Sequence, residues 1–192
     1  MKSTVLKEKR STHLKRHGLL YLLFVVAIAV FVYRAQNSVV SHSGSSVNGS
    51  FEVGSLAPKF ILRNLQGNLE GIDDYKDKVI ILNFWATWCL PCRTEIPLLI
   101  AAQVRHGTAL QVVGVAIDDE APVRRFEDET GMNYTSLVRR GGGTELMRRY
   151  DNPGQLPFTL VFSPEGTLRH QKTGEISPSD LNLWLADLAL KP

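Results

Sequence analysis

The chain contains only two cysteines, three positions apart in Trp88-Cys89-Leu90-Pro91-Cys92. Two thiols at that spacing can close and open a disulfide. The segment comes directly after the apolar run Lys78 to Trp85 (KVIILNFW) and directly before a stretch with helical periodicity, Ile96, Leu99, Ile100 and Val104. A helix N-terminus carries unpaired N–H groups and about half a positive charge, so an anion gains there. A thiolate at Cys89 is that anion, and a thiol so placed typically drops from about 8.5 to somewhere in the range of about 3.5–7.5. Cys92 lies one turn further in and is more shielded. Dithiol exchange follows: Cys89 attacks a substrate disulfide, a mixed disulfide forms, and Cys92 resolves it.

Competing readings of a CxxC are weaker in this chain. Zinc needs four ligands and no second cysteine pair exists. Of the five histidines, His13, His17 and His42 precede the folded part, leaving His106 and His170. A c-type haem site requires His after Cys92, where Arg93 stands. A purely structural disulfide would close a four-residue loop at a strand–helix junction, which is poor stapling geometry. A Cu(I) site of two thiolates plus His170 remains open only if His170 comes near the cysteines. A thiol peroxidase is disfavoured because no Pro-x-x-x-Thr-x-x-Cys leads to Cys89; the upstream residues are Leu82, Asn83 and Phe84. A non-catalytic interaction domain is the remaining alternative.

The elements that must position the pair can be read from periodicity. Phe60 to Arg63 and the stretch after Gln66-Gly67-Asn68 form a short hairpin. Lys78–Trp85 and Leu110–Ile117 are continuous apolar runs, as expected for strands buried on both faces. Cys92 to His106 is a helix ending at Gly107 and kinked at Pro97; Pro122 to Thr130 and Thr144 to Tyr150 are shorter helices. Phe158–Phe162 and Thr167–Gln171 form a hairpin around Ser163-Pro164-Glu165-Gly166. A last helix starts at Pro178 and turns Leu181, Trp184, Leu185 and Leu188 inward. The order reads β-α-β-α-β-α-β-β-α, an α/β sandwich with a mixed sheet.

The rest of the chain bears on where this chemistry happens. Hydrophobic residues make up 44% of the 192 residues and charged residues 21%, the balance of a globular domain. Residues 1–34 hold seven basic residues against Glu8 alone, so the remainder carries 15 basic against 18 acidic residues. The basic balance therefore belongs to the N-terminal segment, and a nucleic-acid-binding face on the domain is not expected. Gly18 to Tyr33 has no charge over sixteen residues, about 24 Å of helix. We read residues 1–17 as a cytoplasmic basic tail, 18–34 as a transmembrane anchor, 35–51 as a flexible Ser/Gly/Asn-rich linker and 52–192 as the domain. Six basic residues precede the span and Arg34 follows it, which orients the N-terminus inward and exports the domain. A cleaved signal peptide is the competitor. Its small-residue sites, Ala27-Ile28-Ala29 and Ser41-His42-Ser43, lie inside the apolar run and far beyond it. The Arg pairs at 124–125, 139–140 and 148–149 read as solvated surface.

Val79 to Leu98 (VIILNFWATWCLPCRTEIPL) resembles the active-site strand and helix of thioredoxin-fold proteins. The nearest likeness is the TlpA/ResA group of membrane-tethered thiol–disulfide oxidoreductases, which includes the cytochrome c maturation thioredoxins. Val53-Gly54-Ser55-Leu56-Ala57-Pro58-Lys59-Phe60 resembles that group's N-terminal hairpin signature, and Gly154-Gln155-Leu156-Pro157-Phe158 resembles its cis-proline strand. The resemblance covers residues 52–190. It implies a thioredoxin fold, a mixed sheet sandwiched by helices, with an N-terminal β-hairpin extension and a central insertion. It also implies a cis Pro157 packed against the Cys89–Cys92 pair. Trp88, Leu90, Pro91 and Leu156 would line the groove for an extended substrate. Asn83 stands where many thioredoxins carry a buried Asp, a departure that matches this group. Glu95 resembles the group's acidic residue beside the cysteines, and burial would let it take or return the proton of Cys92; the alternative is an exposed first-turn glutamate. No cofactor beyond the redox-active disulfide and no metal is expected. Leu90-Pro91 places no charge or His against the thiolate, which favours a reductant over an oxidant. The implied partners are exported proteins with a disulfide, such as apocytochrome c or a copper-site protein, and a membrane electron donor on the same bacterial inner membrane.

Overall fold

The computed structural model describes residues 24–30, 51–138 and 143–190. Residues 24–30 are helical with exposed Phe24, Val26 and Val30, and are described by themselves. The rest of the expected 18–34 span, the 1–17 tail, the linker and Arg139 to Gly142 lie outside the described residues. No helix among the described residues is long and apolar enough to cross a membrane.

The domain is built on one seven-stranded sheet. Its strands are β1 (Ile61–Asn64), β2 (Leu69–Gly71), β3 (Val79–Trp85), β4 (Leu110–Ala116), β5 (Thr135–Val138), β6 (Phe158–Phe162) and β7 (Leu168–Thr173), in the order β2-β1-β5-β4-β3-β6-β7. β3, β4 and β5 are parallel, while β1–β2, β1–β5, β3–β6 and β6–β7 pair antiparallel. The sheet is mixed, as expected. β3 is buried at every position and sits between β4 and β6, which explains why its sequence is an unbroken apolar run but for Asn83.

The helices are α1 (Leu90–His106), α2 (Glu120–Thr130), α3 (Gly143–Arg148) and α4 (Pro178–Asp187). α1 begins two residues before the periodic signal does, because Pro91 occupies the first turn, where its missing N–H costs nothing. Pro97 lies inside it, and the helix runs continuously through that position. α2 ends at Gly131, whose left-handed φ of 68° suits glycine. Ser177 caps α4 with its hydroxyl accepting from the Asp180 amide. α1, α2 and α4 cover one face of the sheet, seen in the packing of Leu99, Phe126 and Trp184. α3 and the 3₁₀ turn Ile72–Tyr75 cover the other.

α2 and β5 lie between β4 and α3 and form the expected central insertion; β1 and β2 form the expected N-terminal hairpin. β5 occupies the one strand slot of the expected order to which the pattern assigns no residues. It is four residues long and half polar (TSLV), too short for a period-2 signal.

Candidate active site

The C-terminal end of β3 delivers the chain to the cysteines. After Trp85 it turns through Ala86 and Thr87, where the Asp118 carboxylate accepts from the Thr87 amide at 3.0 Å and from its hydroxyl at 2.6 Å. Asp118 follows β4, so the loop is tied to the neighbouring strand. Sequence reasoning missed this residue, whose only signal is an acidic pair directly after a buried strand.

Cys89 and Cys92 are joined in a disulfide. Cys89 is the N-cap of α1, and its Sγ accepts from the Cys92 amide at 3.3 Å. The sulfur thus occupies the position where a capping oxygen normally satisfies an orphan N–H. Cys89 is 6% exposed and Cys92 is fully buried, so only Cys89 offers an edge to solvent. Around that edge Trp88 (69% exposed), Leu90 (74%) and Pro91 present an apolar rim. Leu156, half-buried, packs against the cluster that contains both cysteines, together with Trp85, Ile96, Val123 and Phe126. The Leu156–Pro157 peptide bond is cis, as the resemblance implies, and Pro157 precedes β6 at the end of the sheet where β3 delivers Cys89. Arg93 lies over the Phe126 ring at 5.5 Å from its centroid.

Glu95 is buried, 1% exposed, on the face of α1 that meets the sheet, and is therefore not the exposed first-turn glutamate of the alternative reading. Its Oε1 accepts from Asn83 Nδ2 at 2.7 Å and its Oε2 from the Ile176 amide at 2.8 Å. The same Asn83 amide group also donates to Thr159 Oγ1 at 3.0 Å. Burial pushes the Glu95 carboxyl up to about 7, against the lowering effect of those two hydrogen bonds; Glu175 raises it further and Lys172 lowers it. Asn83 holds the carboxylate without adding a second titrating group, which an Asp there would do.

His170 does not come to the cysteines. It stands on β7 opposite Val161, which is itself paired with Ile81. That is two strands across and four residues back from Trp85. His170 there contacts Asp187 at 3.0 Å and stacks on Trp184. The geometry removes the third ligand of the copper reading. Trp85 is fully buried and belongs to the core. Arg124 pairs with Glu120 and Arg148 with Glu145 on the surface.

A family model described as the AhpC/TSA family matches residues 53–171. The chain is 30% identical over 183 residues to the thiol-disulfide oxidoreductase ResA of Bacillus subtilis, covering 94% of each protein. It is also 30% identical over 139 residues to ResA of Geobacillus kaustophilus, covering 71% of this chain and 78% of that one. Among solved structures, a Chlorobium tepidum protein assigned to the DsbE thiol:disulfide interchange proteins superposes with a TM-score of 0.66 at 26% identity, over 72% of this chain and 99% of that one. The buried Cys89–Cys92 disulfide at a helix N-terminus and these likenesses agree. The chain belongs to the AhpC/TSA family and, within its thioredoxin-fold members, to the ResA thiol–disulfide oxidoreductases.

Proposed function

We propose that the chain is held in the bacterial cytoplasmic membrane by residues 18–34, with the domain outside, and that it reduces disulfides of exported apo-proteins. Apocytochrome c and copper-site proteins are the client classes. The observation that carries the reading is the pairing of a Cys89 sulfur that keeps a 6% exposed edge and is capped by the Cys92 amide with a fully buried Cys92, one turn before the buried Glu95 carboxyl. In the reduced form the Cys89 thiolate attacks one sulfur of the client disulfide and releases the other as a thiolate. Glu95 takes the Cys92 proton, and the Cys92 thiolate attacks Cys89 Sγ and expels the second client thiolate. Two electrons pass to the client, and the Cys89–Cys92 disulfide is left. A membrane-bound dithiol donor returns the pair to the reduced form. Trp88, Leu90, Pro91 and Leu156 receive the client's extended segment, and the cis Pro157 exposes backbone for it to pair with.

The test is trapping. Cys92→Ser in the full chain should hold a client as a mixed disulfide on Cys89, and Cys89→Ser should abolish disulfide reduction; normal turnover by Cys92→Ser would sink the two-cysteine mechanism. The direction is read from the reduction potential. A value at or below about −230 mV supports a reductant, whereas one near about −120 mV marks an oxidant.

A further inference from the structure

Among the described residues, three buried side-chain atoms stand without a hydrogen-bond partner, Asn83 Oδ1, Trp85 Nε1 and Tyr134 OH, and beside them Glu127 Oε1 and Ser136 Oγ meet only each other. The register of the sheet brings them together. Thr159 of β6, Asn83 of β3, Gly114 of β4 and Ser136 of β5 are successive paired neighbours, so they form one row across four strands. The row faces α1. On one side of it the row Val161–Ile81–Val112 packs with Leu99 and Trp184; on the other side the row Trp85–Ala116–Val138 packs with the cysteines. Glu95 bonds to the Asn83 end. Gly114 gives the row a position without a side chain. A Cβ there would stand 2.8 Å from Trp85 Nε1 and 3.4 Å from Tyr134 Cε2, so the indole nitrogen and the phenol ring close over the bare backbone. At the far end Glu127 lies beside Ser136, whose hydroxyl and Arg124 partly offset the upward push of burial on its carboxyl. Glu127, Tyr134, Ser136, Gln103 and Gln111 line an open depression of about 390 Å³.

Buried polar atoms left unpaired have given up their hydration and gained no bond in return. Native cores hold few of them, and a buried water satisfies about 2–4 such groups. All five belong to this strip and its cover, and none to the opposite face. From Asn83 to Ser136 is two strand spacings, about 10 Å, and the Trp85 indole nitrogen and the Tyr134 ring occupy its middle above Gly114, so a path between the two ends runs along those two side chains. Glu95 itself is sealed by α1, β3 and the Ile176 backbone, so a proton it accepts needs a way out.

We propose that this strip is a hydrated proton path by which Glu95 exchanges its proton with bulk solvent, with Tyr134, Ser136 and Glu127 as its relay and exit groups. The proposal rests on the role given to Glu95 above. When Cys92 sulfur attacks Cys89, the Cys92 proton passes to the Glu95 carboxylate. It then leaves Glu95 for a water at Asn83 Oδ1, moves past Trp85 Nε1 and Tyr134 OH, and is released at Glu127. One proton travels and no electron does. The groups facing Glu95 are Asn83, Tyr134, Lys172 and Glu175, with Cys92 one turn earlier on its own helix; those facing Glu127 are Arg124 and Asp128 on its own helix, Tyr134 and Ser136.

The experiment is a pH jump on the full oxidised chain, following the protonated carboxyl band of Glu95 by transient infrared spectroscopy. The band is assigned by its loss in Glu95→Gln. Tyr134→Phe and Glu127→Gln should each slow its appearance about tenfold or more, an effect that lost packing would not produce. A relaxation at the native rate in both variants overturns the path. In the unmodified chain the Trp85 indole proton should show a cross-peak to a long-lived water, and its absence overturns the path without any variant. If Glu95→Gln reduces client disulfides at the native rate, the role of Glu95 in resolution fails, whereas the path is judged on the infrared rate alone.

Discussion

The two faces of the sheet are made by the same strands and differ in kind. On the α3 face, β3 contributes Ile80, Leu82 and Phe84, β4 Val113 and Val115, β5 Leu137 and β6 Phe158, Leu160 and Phe162. The polar atoms that tyrosines bring to this face are partnered: Tyr150 donates to the Pro58 carbonyl at 3.2 Å and Tyr75 to Glu70. On the α1 face, the alternate residues of those strands include Asn83, Gly114, Ser136 and Thr159, and the covering elements add Glu95, Tyr134 and Glu127. The apolar face can pack without desolvating anything it cannot satisfy. The α1 face buries a carboxyl near its titration point and leaves polar atoms unpaired, at a cost the other face offsets. Stability is thus concentrated on one side of β3 and chemistry on the other, with one residue of chain between them.

Phe84→Ala breaks the comparison where the effect is largest. Phe84 stacks on Phe158 with ring centroids 5.8 Å apart and lies 5.9 Å from Tyr150. Its truncation should cost about 3–5 kcal/mol in urea unfolding. The reduction potential of the Cys89–Cys92 pair should not move, because Phe84 points away from it. A potential shifted along with the stability would show that the faces are not separable.

Glu95→Gln probes the other face, with an effect that depends on pH. The folded carboxyl titrates at about 7, above the ordinary value near 4.3 for an unfolded chain. Below that unfolded value both states hold the proton and the residue costs nothing in charge. Between the two values the unfolded chain has lost its proton and the folded one keeps it, so stability falls as pH rises, and the loss levels off above about 7. The accumulated loss is about 4 kcal/mol. Gln does not titrate, so the variant should gain on the native chain by about that amount between pH 4 and pH 8, roughly the window set by those two values. At the acid end it starts lower, because an amide N–H2 or a rotated amide cannot accept from both Asn83 Nδ2 and the Ile176 amide. A stability difference flat with pH would place the Glu95 titration elsewhere.

The readable part of the molecule follows from the same division. β3, β4, β6 and α1 announce themselves by apolar runs and helical spacing, because the α3 face and the centre of the sheet tolerate little else. The cysteines, Pro157 and Glu95 stand in motifs of recognisable spacing. The polar strip leaves no local trace. Ser136, Tyr134 and Glu127 are ordinary residues in a short strand, a loop and a charged helix, and only the pairing of β5 with β4 sets them in line with Asn83. Gly114 interrupts a Val-rich strand (LQVVGVA), its one signal. Asp118 likewise acts across a gap of thirty-one residues, on Thr87. Local pattern reports burial; it does not report which buried residues share a row.

Ser177→Ala sharpens the comparison with the smallest change. Ser177 caps α4: its hydroxyl accepts from the Asp180 amide at 3.1 Å and the Asp180 carboxylate accepts from the Ser177 amide at 2.7 Å. Lys172, at 2.6 Å, and then Ser177 hold the Asp180 carboxyl down at about 2. Losing the cap should cost about 1 kcal/mol at neutral pH. The cap adjoins Ile176, whose amide donates to Glu95, so the same variant asks what fixes that amide. The Ile176 side chain is buried among Leu99, Leu181 and Trp184, which anchors the backbone independently of the cap. The Glu95 carboxyl band should therefore titrate at its native midpoint in Ser177→Ala while the unfolding midpoint drops. A shift of the Glu95 midpoint would mean that the helix cap, and not the packing of Ile176, sets the donor that holds the carboxyl in place.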